Sequence, residues 1–230
     1  MTPLETEALW LSFQVASLAV LIGLPLSLGL AWLLARTAWP GKAVLEALVN
    51  LPLVLPPVVV GYLLLVAFGR HGFIGAWLYK FFGLTFVFTF RGAVLVAVVM
   101  ALPLMVRAIR QALEAVDGGL EQAARTLGAG RRDVYASVVV PLAAPGLLSG
   151  AVLGFAASLG EFGATITFVS NVPGETQTLP LAIYAALQTP GGEAVAARLV
   201  ACAMVLAVAA LVLAQWSHTR MQRWLGRSPA

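Results

Sequence analysis

Charge is what this 230-residue chain has least of: 10% of its residues are Asp, Glu, Lys or Arg, against about 25% in a soluble domain. With 60% hydrophobic residues and a mean hydropathy of +0.93, the scarcity excludes an ordinary soluble enzyme and a disordered chain. Cysteine is nearly absent. Cys202 stands alone in an apolar run, so there is no disulfide framework and no cysteine metal site. His71 and His218 lie outside the apolar runs without a second ligand at useful spacing, and both read as surface residues. A GxxxxGK(S/T) loop is also missing, because the Gly41–Lys42 pair is followed by Ala43. Any ATP must therefore be bound by another chain, and no cofactor or metal is expected. The net charge of +4 is too small for a nucleic-acid footprint and is better tested as a topology signal.

What is present is long apolar runs. A helix needs about 20 mostly apolar residues to cross a hydrocarbon core about 30 Å thick. Residues 9–35, 44–68, 92–106, 146–169 and 195–216 meet that condition or approach it. Glu5 and Glu7 stand where a secretory signal would carry a basic region, so the first run reads as a retained helix. The expected fold is an all-α membrane protein, a polytopic bundle of about five spans with its termini on opposite sides. Arg36, Lys42, Arg107, Arg110, Arg125, Arg131, Arg132, Arg220, Arg223 and Arg227 then share one side, and Arg70, Lys80, Arg91 and Arg198 the other. Cations are retained on the cytoplasmic side, which gives an outside N-terminus and an inside C-terminus. Residues 73–90 are aromatic-rich and carry only Lys80; an interfacial or re-entrant segment preserves this charge bias, and a crossing would destroy it.

Three stretches depart from plain lipid-facing helix. Residues 44–68 contain Pro52, Pro56 and Pro57, each of which removes a backbone donor and bends a helix. In residues 146–169, Gly146, Gly150 and Gly154 recur every four residues, a smooth face for close helix approach. Glu161 follows seven residues later, which in an unbroken helix places it on the same face. A carboxylate at membrane depth suggests function, as a gate or polar lining with Thr165 and Thr167, or an inter-helix anchor. The third stretch, 107–145, is the longest polar one. From Gln111 to Pro145 it carries three Arg and four acidic residues, a mixture that suits a docking loop better than a lipid anchor. Alanine-rich helical runs lie around 113–116 and 120–127, and Gly128-Ala129-Gly130 breaks the second.

Within that loop, Gln122-Ala123-Ala124, Gly128 and Val138-Val139-Val140-Pro141 resemble the EAA motif of the membrane subunits of ABC importers. The motif's Glu falls on Gln122, with Glu121 one residue earlier, and Val replaces its Ile and Leu. Further segments are similar to the molybdate permeases of that family: LPLVLPPVVVGY at 51–62, GRHGFIG at 69–75, SLGEFGATITFVSN at 158–171, PGETQT at 173–178 and QTPGGE at 188–193. Sulfate permeases share the general plan.

The resemblance implies one type-1 transmembrane domain over residues 1–230 in the bacterial inner membrane. It implies a homodimer of permease subunits, two ATP-binding subunits on the cytoplasmic side, and an external molybdate-binding protein. Glu121, Gln122, Ala123, Ala124, Gly128, Ala129, Gly130 and Arg131 would couple to the ATPase, with Arg125, Arg132 and Asp133 as rim charges. Glu161, Phe162, Gly163, Thr165 and Thr167 would line or gate the pathway. An apolar run at 179–187 in the outer loop reads as a short interfacial helix contacting the binding protein or as a connector. The alternatives are an ion-coupled secondary transporter using Glu161, a sulfate or tungstate permease, and an intramembrane enzyme. A secondary transporter usually shows paired repeats, and the Gly-Glu-Phe-Gly stretch occurs once. The enzyme would need a catalytic constellation within the spans, and none is found.

Overall fold

The computed structural model describes residues 2–224; Arg227 and the side chains of His218 and Arg223 lie outside what is described. Among the described residues the chain forms eleven α-helices and no strand. They are α1 (Pro3–Arg36), α2 (Lys42–Val54), α3 (Pro57–Phe68), α4 (Phe73–Phe82), α5 (Phe90–Glu114), α6 (Gly118–Thr126), α7 (Arg131–Val134), α8 (Val140–Leu159), α9 (Gly163–Val169), α10 (Leu179–Leu187) and α11 (Glu193–Trp224). A π-turn at Tyr135–Val139 joins α7 to α8, so Arg131–Leu159 is one continuous rod of 29 residues.

Local chemistry sets the ends of the rods. The Thr2 side chain and Glu5 form a reciprocal capping box at the start of α1, with Pro3 in its first turn. Thr89 caps α5 by accepting from the Gly92 N–H. Gly83, at φ +64°, ends α4 in a left-handed cap that favours glycine.

At the centre is α5, packed between α1 and α8. Val96, Ala101, Met105 and Ile109 have no appreciable exposure. Helix association in lipid gains little from apolar transfer, since lipid tails are as apolar as leucine, and depends on close packing instead. Small residues supply it. On α1, Ala8, Ser12, Ala16, Ala19, Gly23, Ser27 and Ala31 form a buried stripe at three- and four-residue spacing. On α8, Gly146 lies against Ala112, Gly150 against Ile109 and Gly154 against Met105. Leu11 and Ala19 of α1 cluster with Ala93–Val98, while Ala31 and Leu34 cluster with Val106 and Ile109. Thus α1 and α5 run parallel.

Among the described residues, four rods are long and apolar enough to cross a membrane: α1, α5, Arg131–Leu159 and the Glu193–Leu213 part of α11. The fifth crossing is the pair α2 and α3, bent by 117°. Glu46 of α2 bonds Arg110 near the C-terminal end of α5, and Phe68 of α3 packs on Phe86, just before α5 begins. The pair therefore traverses the bundle as a broken span. Helix α4, at 10 residues, is about 15 Å long, half a hydrocarbon core. It leaves Phe73, Trp77, Phe81 and Phe82 exposed at the end where α3 finishes and α5 starts. The stretch expected as a long polar loop is mostly helix: α5 runs on through Arg107 to Glu114, and a new helix starts at Arg131. Residues 115–117 and 127–130 are what remains outside helices there.

Candidate pathway and coupling elements

Two interrupted helices meet beside the N-terminal half of α5. The first break is at Leu55–Pro56. Leu55 is extended (φ −77°, ψ 144°), the conformation that a following proline favours, and Pro57 opens α3, where its missing N–H costs nothing. Pro52 stays inside α2. The second break is Gly160-Glu161-Phe162, between α8 and α9. A Cβ on Gly163 would lie 2.9 Å from the Pro57 Cβ, and one on Gly61 would lie 2.6 Å from the Ala164 carbonyl oxygen. Glycine at both positions brings α3 and α9 almost backbone to backbone. Val60, Ala164, Phe168 and Val169 then close onto Ala93–Val98 of α5.

The seven-residue spacing does not place Glu161 on the face of Gly146, Gly150 and Gly154, because α8 ends at Leu159 and the spacing holds only in a continuous helix. Its Oε1 accepts from the Ala164 N–H at 2.8 Å, satisfying one of the free donors that begin α9. Thr167 donates to the Gly163 carbonyl at 2.8 Å, and Thr165 is buried. The Phe162 ring lies 5.2 Å from that of Tyr184 on α10, so the break touches three elements. The backbone of Ser170, which ends α9, is at φ 63° and ψ −159°, a region kept almost wholly for glycine. Breaks at depth are tolerated where protein or a water-filled cavity covers the freed carbonyls. The two breaks adjoin each other where α3 meets α9.

The opposite end of α5 holds α6. Asp117 caps it by accepting from the Gly119 N–H at 2.8 Å, and Gly128, at φ +88°, turns the chain after it. Ala124 and Ala129 pack toward Val134, Tyr135 and Leu113. Gln122, Ala123, Gly128, Gly130 and Arg131 are exposed, and Leu127 is 89% exposed. Gly130 donates to the Asp133 carboxylate at 3.2 Å at the start of α7. Glu121, unlike Gln122 and Ala123, is buried, bonded to Arg36 of α1 at 2.5 Å. Four positions on from Gln122 and five on from Glu121 lies Thr126, so the two neighbours necessarily occupy different faces of α6.

The chain matches the model of the binding-protein-dependent transport system inner membrane component over residues 19–223. The chain belongs to this family. It is 61% identical over 216 residues to the molybdenum transport system permease protein ModB of Escherichia coli (strain K12), covering 94% of each chain. With the Haemophilus influenzae protein of the same name it shares 56% over 224 residues, 97% of this chain and 98% of the relative. The sulfate transport system permease protein CysT of E. coli is 37% identical over 77% of this chain and 65% of its own. Among solved structures, the MetNI methionine ABC transporter superposes with a TM-score of 0.74 over 96% of this chain and 99% of that one, at 16% identity. A bacterial alginate ABC transporter gives 0.73 over 97% and 80%, at 19%. At such identities the likeness is one of fold.

This permease component of the inner membrane has three features that sequence reading missed. The small-residue stripe of α1 was open to view in its spacing. The meeting of α3 with α9 had only Gly61 and Gly163 as a signal. The Arg36–Glu121 contact, 85 residues apart, had none.

Proposed function

We propose that this permease component is the membrane subunit of an ATP-driven molybdate importer. It works as two copies with two ATP-binding subunits at the α6 end and a molybdate-binding protein at the other. The 61% identity to the E. coli molybdenum permease over 94% of both chains carries the substrate reading. Orientation follows from charge: Arg36, Arg107, Arg110 and Arg125 gather at the α6 end, which is therefore cytoplasmic, while Arg70 and Arg198 are at the end bearing α4 and the start of α11.

The mechanism follows from the packing. The exposed side of α6, with Gln122, Ala123, Leu127, Gly128 and Arg131, is the surface an ATPase can grip. Movement of the ATPase shifts α6 as a rigid body, and the closely packed α1, α5 and α8 carry that shift into the membrane. The breaks at Leu55–Pro56 and Gly160–Phe162 let α3 and α9 change their tilt without costly distortion of unbroken helix. Phe162, Gly163 and Thr167 thus stand where a pathway between two copies opens or closes. Glu161 acts there as the cap that holds the start of α9, since a carboxylate aimed at the substrate would repel an oxyanion.

Gly128→Asp tests the coupling part of this reading. Aspartate at φ +88° is strained and puts charge on the gripping surface. The variant is expected to insert and fold normally while molybdate uptake and ATPase association are lost. Uptake at the wild-type rate would exclude α6 as the coupling element.

A further inference from the structure

Helix α6 is tied to the spans by a guanidinium. Arg36 is the last residue of α1. Its Nη1 donates to Glu121 Oε1 at 2.5 Å, and its Nη2 donates to the Leu113 carbonyl, in the last turn of α5, at 2.8 Å. One side chain therefore joins the ends of two spans to the middle of α6. The pair is shielded, with side-chain exposures of 19% for Arg36 and 10% for Glu121. Shielding strengthens the attraction relative to a solvated ion pair and makes loss of either partner costly. The surface of α6 that faces away from this pair carries Gln122 and Ala123, both exposed.

We infer that Arg36 and Glu121 form a clasp that transmits displacement of α6 to α1 and α5, making both positioning residues for transport. The inference rests on the proposed role of α6 in coupling and adds the route by which force leaves it. Because Nη2 is held by the Leu113 carbonyl at 2.8 Å while Nη1 holds Glu121, the guanidinium bridges α5 and α6 at once, and a displacement of α6 is carried to the ends of α1 and α5 together.

The test uses the complete transporter in proteoliposomes, with radiolabelled molybdate and ATP hydrolysis measured in the same vesicles. Glu121→Gln and Arg36→Gln are compared with wild type and with the exchange R36E/E121R. Both single variants are expected to keep hydrolysing ATP while molybdate moved per ATP falls on the order of five-fold or more, the scale of ordinary coupling between sites. The exchange is expected to recover at least half of the lost ratio. A role confined to stability would lower the amount of transporter without changing this ratio. An unchanged ratio in both single variants overturns the clasp, and so does an assembled exchange that recovers nothing. Should Glu121→Gln not assemble, Glu121→Asp keeps the charge but withdraws it by one methylene; an unchanged ratio there also overturns the clasp. Wild-type vesicles in which molybdate uptake ignores ATP would refute the functional reading itself, a separate failure visible before any variant is measured.

Discussion

Substituting Gly146 by alanine is the most direct probe of how the bundle is held together. A Cβ at this position would lie 2.1 Å from the Ala112 Cβ and 3.1 Å from the Ala108 carbonyl oxygen. Ordinary carbon contacts lie at about 3.5–4.0 Å, so the shortfall is roughly 1.5 Å. Neither neighbour can rotate away, because one is a methyl fixed to the backbone and the other is backbone. Helices α5 and α8 must separate, at about 1–3 kcal/mol by the usual cost of overpacking. Alanine also favours helix over glycine by about 1 kcal/mol, and Gly29→Ala measures that gain alone, having nothing within 4 Å. Gly154→Ala is intermediate: its new methyl would meet Met105 Sδ at 2.6 Å, but a methionine side chain can swing aside. The assay is reversible unfolding of the purified subunit in mixed micelles, followed by helical circular dichroism. The expected order of stability is Gly29→Ala first, then Gly154→Ala, then Gly146→Ala, with about 1–3 kcal/mol between the extremes, since the helix-propensity gain is common to all three. A Gly146→Ala variant as stable as Gly29→Ala would refute the claim that backbone-close packing of α8 on α5 holds the core.

Other consequences are simpler to state. Glu161→Gln keeps an acceptor for the Ala164 N–H and is expected to stay near wild-type stability, whereas Glu161→Ala leaves that donor unpaired and loses about 1–3 kcal/mol in the same unfolding assay. Ser170→Gly relieves a backbone conformation costing about 1–3 kcal/mol, so thermal unfolding should shift upward despite the added chain entropy. Leu127→Asp, at a position 89% exposed, should leave membrane insertion intact and weaken co-purification of the ATPase. Gly61→Val should be worse than Gly61→Ala in both folding and uptake, since the new side chain points into the α9 backbone at Ala164.

Much of this was legible in the sequence, for physical reasons that can be named. Apolar length marked the spans, and the Ala-rich run at 120–127, broken at Gly128, overlaps most of α6. The run at 179–187 likewise coincides with α10. Proline announced that residues 44–68 would bend, but a missing donor says where a helix stops and nothing about the direction in which it restarts. The 117° turn is fixed by what α3 packs against, namely α9. Spacing could not place Glu161, because helical periodicity does not carry across Gly160, where the helix has already ended. Glu121 looked like a partner contact because a motif gives residue types in order but not the face each one takes. Its inward turn depends on Arg36, which no local pattern connects to it.

The central claim is that this chain moves molybdate only when α6 is driven by an ATPase. Its most direct test is radiolabelled molybdate accumulation in proteoliposomes that contain the permease, the ATP-binding subunit and the binding protein. Accumulation should require ATP and all three proteins, and an uncoupler should leave it unchanged. Accumulation that persists without the ATPase and collapses when the proton gradient is dissipated would contradict the account.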